Sequence, residues 1–413
     1  MRRTLAILDG PPAVRAAPPR WPFAGASERR WMDAVLRDGR WGWMGEHETA
    51  FCSEFAEFLG ARHCVCVANG SVALECALIA LGVGAGDEVI VPGLTWVATA
   101  QAVLDVGADA VFADVDPGTW CLDPAAVERA ITPRTRAIVP VHLYGSMCDM
   151  DAICRIAARH GLRIIEDVAH QHGSRWRGKA AGTIGDAGTF SFQRSKVLTS
   201  GEGGAIVTRS AEVYEAAFNL KHVGWNPDLA TSGTRYGHNF RLTEMQAVLL
   251  RGGLRRLSSQ TSKREESASF LREALARCAP VRVAPRDERV SQQAYYALTM
   301  NYDGAAFDGI ARETVMKALE AEGVRLFAPY PPAYRNPLAL LDAKGSPLLR
   351  RGRDARKRYA GLRLPVTERI ASDDGLTLPH PWLLGGKRLL RDVVTAFDKV
   401  FSQPDALRRW TPR

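Results

Sequence analysis

The chain has 413 residues, more than one ordinary hydrophobic core fills, so two domains are expected. An apolar share of 46% and a charged share of 24% fit a soluble globular protein, which sets aside disordered and fibrous classes. The net charge of +9 comes largely from scattered arginines such as Arg2, Arg163, Arg209 and Arg255, without the basic stripe or motif of a nucleic-acid binder.

Residues 1–20, rich in Pro, Ala and Arg, are expected to form a loose N-terminal arm. The Met1-Arg2-Arg3 start is followed by too short an apolar run for a signal peptide, and no stretch reaches the length of a membrane span. Eight cysteines (52, 64, 66, 76, 121, 148, 154, 278) form no CxxC pair and no Cys/His metal spacing. They read as reduced, buried thiols of a cytoplasmic protein with no metal site. A helix is expected over 28–38, an aromatic, glycine-punctuated loop at Arg40–Gly45, and a second helix from Thr49 to Leu59 with Phe51, Phe55 and Phe58 on one face.

From residue 63 the pattern becomes strand, glycine turn, helix, repeated. Strands are expected at His63–Ala68, Glu88–Pro92, Ala110–Val115, Ala137–Leu143 and Leu162–Ile165, the last running into Glu166-Asp167. The alternation argues an α/β fold, a mostly parallel central sheet covered by helices on both faces. Ligands bind such folds at the carboxyl ends of the strands. Thr243 with Gln246 three residues on is a capping-box signature, opening a helix to about Leu257 that continues through the charged run 258–266. Beyond it a strand (Tyr295–Tyr302), a helix (Arg312–Glu322), loops at 329–337 and 378–381 and a last helix near Lys387–Phe401 read as a smaller C-terminal α+β domain. The expected division is 1–20 arm, 21–258 large domain and 259–413 small domain.

The chemistry gathers in Thr189–Gly204. An apolar, aromatic strand is followed by the single Lys196 and a glycine-rich turn. A lysine beside a buried strand needs an anion, a solvent path or a covalent partner, and a desolvated lysine can form a Schiff base with a carbonyl cofactor. Asn69-Gly70-Ser71, between a strand and a helix, can seat a phosphate, and Ser191 can add a hydroxyl or simply bond backbone. Trp96 is placed either to stack on a flat ring or to fill the core. Asp167 ends a strand, where a buried carboxylate needs a partner such as a heteroaromatic N–H⁺. At about 4 Å and an effective dielectric of about 20, that pair is worth about 4 kcal/mol, or about three pK units. His170 can reach the ring's phenolic oxygen or satisfy backbone. Phosphate seat, ring stacker, carboxylate and lysine, in that order, make a pyridoxal 5′-phosphate (PLP) site.

The runs VIVPGLTWVATA, VPVHLYGSMCDMDAI, IIEDVAHQHGS, GTFSFQRSKVLTSGEGGAIVT and YGHNFRLTEMQA resemble the DegT/DnrJ/EryC1/StrS family from about residue 20 onward. The resemblance implies the fold-type I, aspartate aminotransferase-like architecture of a PLP-dependent aminotransferase that passes through pyridoxamine 5′-phosphate. It implies Lys196 as the Schiff-base lysine and Asp167 at the pyridine nitrogen, the two catalytic residues. It also implies His170 at the ring oxygen, Trp96 on the ring, and Gly70, Ser71 and Ser191 at the phosphate. Asn239 matches an asparagine that reaches the neighbouring subunit's phosphate site, and Arg241 a candidate for the amino donor's carboxylate, which implies a homodimer. VPGLTWVA, VHLY and SKVLTSGEGG resemble the L-glutamine:scyllo-inosose and 2-deoxy-scyllo-inosose aminotransferases of aminoglycoside pathways. Glutamine or glutamate is then the donor and a keto-cyclitol or keto-sugar the acceptor. His170, where those enzymes usually carry glutamine, and the RWGWMG loop look more like 3-amino-5-hydroxybenzoate synthases, the alternative reading. Trp41, Trp43 and Tyr330 are candidate substrate contacts, or ordinary packing and dimer contacts.

Overall fold

The structure, a computed structural model, describes residues 4–43, 45–225, 236–336 and 359–410. Its strands in the first half are short and apolar. They are β1 (His63–Val67), β2 (Glu88–Pro92), β3 (Asp109–Ala113), β4 (Thr135–Ile138), β5 (Arg163–Asp167), a small hairpin of β6 (Arg175–Trp176) and β7 (Lys179–Ala180), then β8 (Ala187–Ser191) and β9 (Gly204–Thr208). β2 and β9 are buried along their whole length. Strands with no face left for water demand helices on both sides.

Seven of these form one sheet in the order β1-β9-β8-β5-β4-β2-β3. Parallel pairings join β3, β2, β4, β5 and β8, whereas β9 runs antiparallel to both β8 and β1. Strand alternation sorts the core into two layers. Ile90 and Ile138 pack on one face with Phe51, Phe55 and Phe190, while Val89, Val91, Ala137 and Val139 pack on the other with Leu74, Leu78 and Val103. The covering helices are α1 (Ala26–Asp38), α2 (Glu46–Leu59), α3 (Gly70–Ala80), α4 (Ala98–Asp105), α5 (Pro124–Ala130), α6 (Met150–His160) and α7 (Ala211–Lys221). The expected strand Ala137–Leu143 stops pairing regularly at Ile138, since Pro140 has no N–H to give. Val141 still bridges to Asp167.

α8 (Glu244–Leu275) begins where the capping box places it, with the Thr243 hydroxyl accepting from the Gln246 N–H and the Gln246 side chain accepting from the Thr243 N–H. It continues unbroken through residue 258, the expected domain boundary. After it, β10 (Val281–Val283), β12 (Ala297–Tyr302) and β13 (Gly375–Pro379) form an antiparallel sheet, while the short β11 (Val290–Gln292) returns to pair with β6. α9 (Arg312–Ala321) and the helix Lys387–Phe401 cover the antiparallel sheet around Leu298, Met300, Val315, Val393 and Phe397.

Two expectations need correction. Leu378-Pro379 ends β13 rather than forming a loop, because Pro at the last position leaves the ladder with β12 intact. The N-terminal arm is pinned rather than loose. Leu5 and Val14 are buried in the C-terminal core, and the Ala6 and Ala13 N–H groups donate to the buried Glu322 carboxylate. The expected helix end at Glu322 extends one residue past α9. Among the described residues, no helix is long and apolar enough to cross a membrane.

Candidate active site

The ends of β2, β5 and β8 converge on a cavity of about 570 Å³, with Asn69, Gly70, Ser71, Trp96, Asp167, His170, Ser191, Lys196 and Tyr330 in its wall. That is the carboxyl edge of the sheet, where an open α/β fold leaves room for a ligand. Nine of the residues singled out from the sequence therefore meet in one space.

Lys196 lies five residues past the end of β8, in a loop anchored at several points. The Trp21 indole donates to the Lys196 carbonyl (3.1 Å), the Lys196 N–H donates to the Gln193 carbonyl (2.8 Å), and His380 Nε2 meets the Ser195 carbonyl at 3.0 Å. The side chain is only 9% exposed, and its ammonium makes no hydrogen bond or ion pair among the described residues. Its closest ring neighbour is Tyr296, with Nζ 4.7 Å from the centroid. Burial pulls the lysine down to about 8, and the Asp167 charge restores only part of the loss.

Asp167, at the last position of β5, is buried. The Thr99 hydroxyl donates to Oδ2 (3.0 Å) and the Ala169 N–H to Oδ1 (3.1 Å). Thr95 extends the chain through Thr99. Burial raises the carboxyl, opposed by those hydrogen bonds and by Lys196. A buried carboxylate and a buried lysine thus face one cavity without forming an ion pair. That arrangement leaves both free to act on something between them.

His170 Nδ1 accepts the Tyr144 N–H at 3.1 Å, which puts the ring proton on Nε2, 3.4 Å from the Tyr330 hydroxyl. Its ring stacks on Tyr296 with centroids 4.0 Å apart and planes 15° from parallel. Burial holds it well below the ordinary histidine range, so it is neutral. Trp96 is 49% exposed and tilts against Tyr330, so it forms an open wall of the cavity instead of filling the core.

Gly70 and Ser71 begin α3, whose N-cap Asn69 accepts the Val72 N–H at 3.0 Å. A Cβ on Gly70 would lie 2.7 Å from the Ser191 Cβ, so only glycine lets the helix N-terminus approach β8 this closely. Backbone N–H groups and the Ser71 and Ser191 side chains thereby border one end of the cavity, a seat for an anion.

Four expected residues stand apart. Asn239 is exposed, and its backbone bridges to His222. Arg241 lies over the Trp43 ring at 5.1 Å, and its Nη1 is buried without a partner. Trp43, 43% exposed with φ of 58°, packs on His222 and Trp225. Trp41 donates its indole N–H to the Val35 carbonyl. None of these four lines the cavity of their own chain.

Sequence reasoning passed over Tyr144, Tyr296 and Thr99. Tyr144 closes the VHLY run that carried the resemblance but was given no role of its own, and Tyr296 sits in a loop position that carries no motif. Thr99 carries a signal only in retrospect: it is one helical turn from Thr95, on the face that meets Asp167.

A model of the DegT/DnrJ/EryC1/StrS aminotransferase family matches residues 24–384. The L-glutamine:2-deoxy-scyllo-inosose aminotransferase of Micromonospora echinospora is 41% identical over 422 residues, covering 98% of this chain and 99% of that protein. The protein of the same name from Streptomyces lividus is 41% identical over 418 residues, covering 97% and 98%. Among solved structures, 3-amino-5-hydroxybenzoic acid synthase superposes with a TM-score of 0.83 at 36% identity, covering 97% of this chain and all of that one. The chain belongs to the DegT/DnrJ/EryC1/StrS aminotransferase family.

Proposed function

We propose that this aminotransferase uses pyridoxal 5′-phosphate to move an amino group from L-glutamine or L-glutamate to a keto-cyclitol or keto-sugar of the aminoglycoside type. The observation that carries the reading is the unpaired, buried Lys196 sharing a cavity with the buried carboxylate of Asp167. The cavity fits the cofactor. The cradle of Gly70, Ser71 and Ser191 matches its phosphate, Trp96 its ring face, Asp167 its pyridinium and His170 Nε2–H its phenolic oxygen. When bound, the cofactor supplies an aldehyde for the lysine and an electron sink for carbanion chemistry.

The protein's own groups do the rest. Lys196 Nζ, with an ammonium pKa of about 8, is available as a neutral amine near neutral pH and can take and return the donor's Cα proton. Thr99 and the Ala169 N–H fix the orientation of Asp167 and favour its ionised form. The stacked His170 and Tyr296 keep one wall rigid and shield the reacting atoms from bulk water. Recognition of an uncharged cyclic ketone rests on hydroxyl hydrogen bonds and aromatic contact, for which Tyr330 lines the cavity.

Asn239, Arg241 and Trp43 serve, in this reading, the cavity of a second copy in a homodimer. The exposure of Asn239 and Trp43 and the unpartnered Arg241 Nη1 support it.

The donor-only half-reaction tests the proposal. L-glutamine should convert the yellow protein to its pyridoxamine spectrum, and 2-deoxy-scyllo-inosose should restore the starting spectrum with an amine appearing on the cyclitol. A protein that is colourless after incubation with the cofactor would refute the reading. The cavity histidine and the likeness to 3-amino-5-hydroxybenzoic acid synthase favour a second reading, transamination with dehydrative aromatisation. It is distinguished by an aromatic ultraviolet absorber formed from a dehydroshikimate-type substrate.

A further inference from the structure

On the far side of β1 from α3, a second set of reactive groups is gathered that the transamination reading does not use. Cys64 and Cys66 are two residues apart on β1, so their side chains point to the same face of the sheet. That face meets α2, which brings Cys52 against them, with Cys52 Sγ 3.4 Å from Cys66 Sγ. All three sulfur atoms lie within 4.8 Å of one another. All three cysteines are free thiols.

The cluster is not sealed in apolar surroundings. A separate cavity of about 260 Å³ reaches Cys52 and Cys64, and Glu48, His63, Lys221 and His222 also line it. Both ring nitrogens of His222 and Nε2 of His63 are buried without a hydrogen-bond partner. Buried polar atoms in native proteins are normally satisfied, so three orphaned imidazole nitrogens beside three thiols point to a ligand. Lys221 and Glu48 form a buried ion pair along the same wall, and the ammonium lies close enough for Cys52 and Cys64 to feel its charge.

We propose that Cys52, Cys64 and Cys66 form a zinc site with three sulfur ligands, its fourth position turned toward the cavity that His63 and His222 line. A tetrahedral ion with Zn–S bonds of about 2.3 Å sets its sulfurs about 3.8 Å apart. The observed cluster, 3.4 Å between Cys52 and Cys66 and within 4.8 Å throughout, is compatible with that spacing. Each thiol releases its proton to solvent as its sulfur takes the metal. Three thiolates on a divalent cation leave one residual negative charge, and the Lys221 ammonium lies beside it. Soft thiolate ligands favour zinc over magnesium, calcium or manganese.

The test uses the full-length protein, reduced and kept anaerobic, titrated with Co²⁺ and then with Zn²⁺. The expected result is one Co²⁺ per chain, with sulfur-to-cobalt charge transfer and tetrahedral ligand-field bands in the difference spectrum, displaced by one Zn²⁺. Cys64→Ser should weaken Zn²⁺ binding by at least about tenfold. Cys154→Ser, on α6, should bind as wild type does. Zinc-edge X-ray absorption on the loaded wild-type protein should count three sulfur neighbours, a reading that does not depend on how well any variant folds. No uptake by the reduced protein, undiminished uptake by Cys64→Ser, or fewer than three sulfur neighbours would each overturn the proposal. A Cys52–Cys66 disulfide that, once reduced, still takes no metal would do the same.

Discussion

Among the described residues, Lys196 and Lys221 are buried, and their surroundings are opposite. Lys221, at the last position of α7, meets the Glu48 carboxylate in a pair whose side chains are 4% and 5% exposed. Burial works against its charge, but Glu48 and the neighbouring thiols more than offset that, and its pKa is raised. Lys196 is buried to a similar depth with no ion pair, and its pKa falls to about 8. The same side chain thus serves as a fixed charge in one place and as a titratable amine in the other. Depth of burial does not separate the two roles. The presence of a bonded anion does.

Breaking each site should therefore give a different kind of failure. Lys196→Ala removes the one lysine among the described residues of the cavity wall, and turnover should fall by at least about 10³-fold, the scale of general acid–base catalysis. Its fold should be preserved, measured by circular dichroism alongside steady-state rates. Wild-type-like turnover would remove Lys196 from the mechanism. Glu48→Ala should act on stability instead. It strands the Lys221 ammonium in a buried place, and breaking a buried pair costs about 3–5 kcal/mol. Denaturant unfolding should report that loss. The paired change of Glu48 and Lys221 to Leu and Met should recover much of it, because no lone charge then remains.

The first of these lysines was legible in the sequence and the second was not. Lys196 follows an aromatic strand and precedes a glycine-rich turn, and Asp167 ends a strand. Both features are local, and the fold's strand–helix alternation is local as well. Lys221 sits in an ordinary helical run, and its partner is 173 residues away. The cysteine cluster escaped for a related reason. Cys64 and Cys66 show only the period of a strand, and the third sulfur comes from a helix whose packing the spacing does not encode. The Pro-rich arm looked loose by composition, since nothing in residues 1–20 announces that Glu322 will accept its N–H groups. Asn239 and Arg241 came from a resemblance, and Trp43 from the aromatic contact that an uncharged ketone calls for. None of them lines the cavity of its own chain; in the homodimer proposed above, the surface they would complete belongs to a second copy.

The contrast is sharpest in a substitution that should stabilise. Lys196→Met keeps an unbranched side chain of similar length and removes the amine, while Asp167 retains its hydrogen bonds from Thr99 and the Ala169 N–H. In the cofactor-free protein, a lysine whose pKa drops from 10.5 to about 8 on folding is a burden. That gap corresponds to about 3 kcal/mol at pH 7, where the unfolded chain holds the proton more firmly than the folded one. Lys196→Met should therefore exceed wild type by about 2–3 kcal/mol in denaturant unfolding at pH 7. The sign sets the pH dependence. Between about 8 and 10.5 the unfolded state binds more protons than the folded state, so wild-type stability rises with pH across that window and the variant's advantage shrinks toward zero. Lys221→Met should move the other way at pH 7, because it leaves the Glu48 carboxylate buried without its cation. A Lys196→Met advantage that stays constant from pH 7 to 10.5 would mean the amine is charged and satisfied inside the cavity, and the difference between the two lysines would disappear.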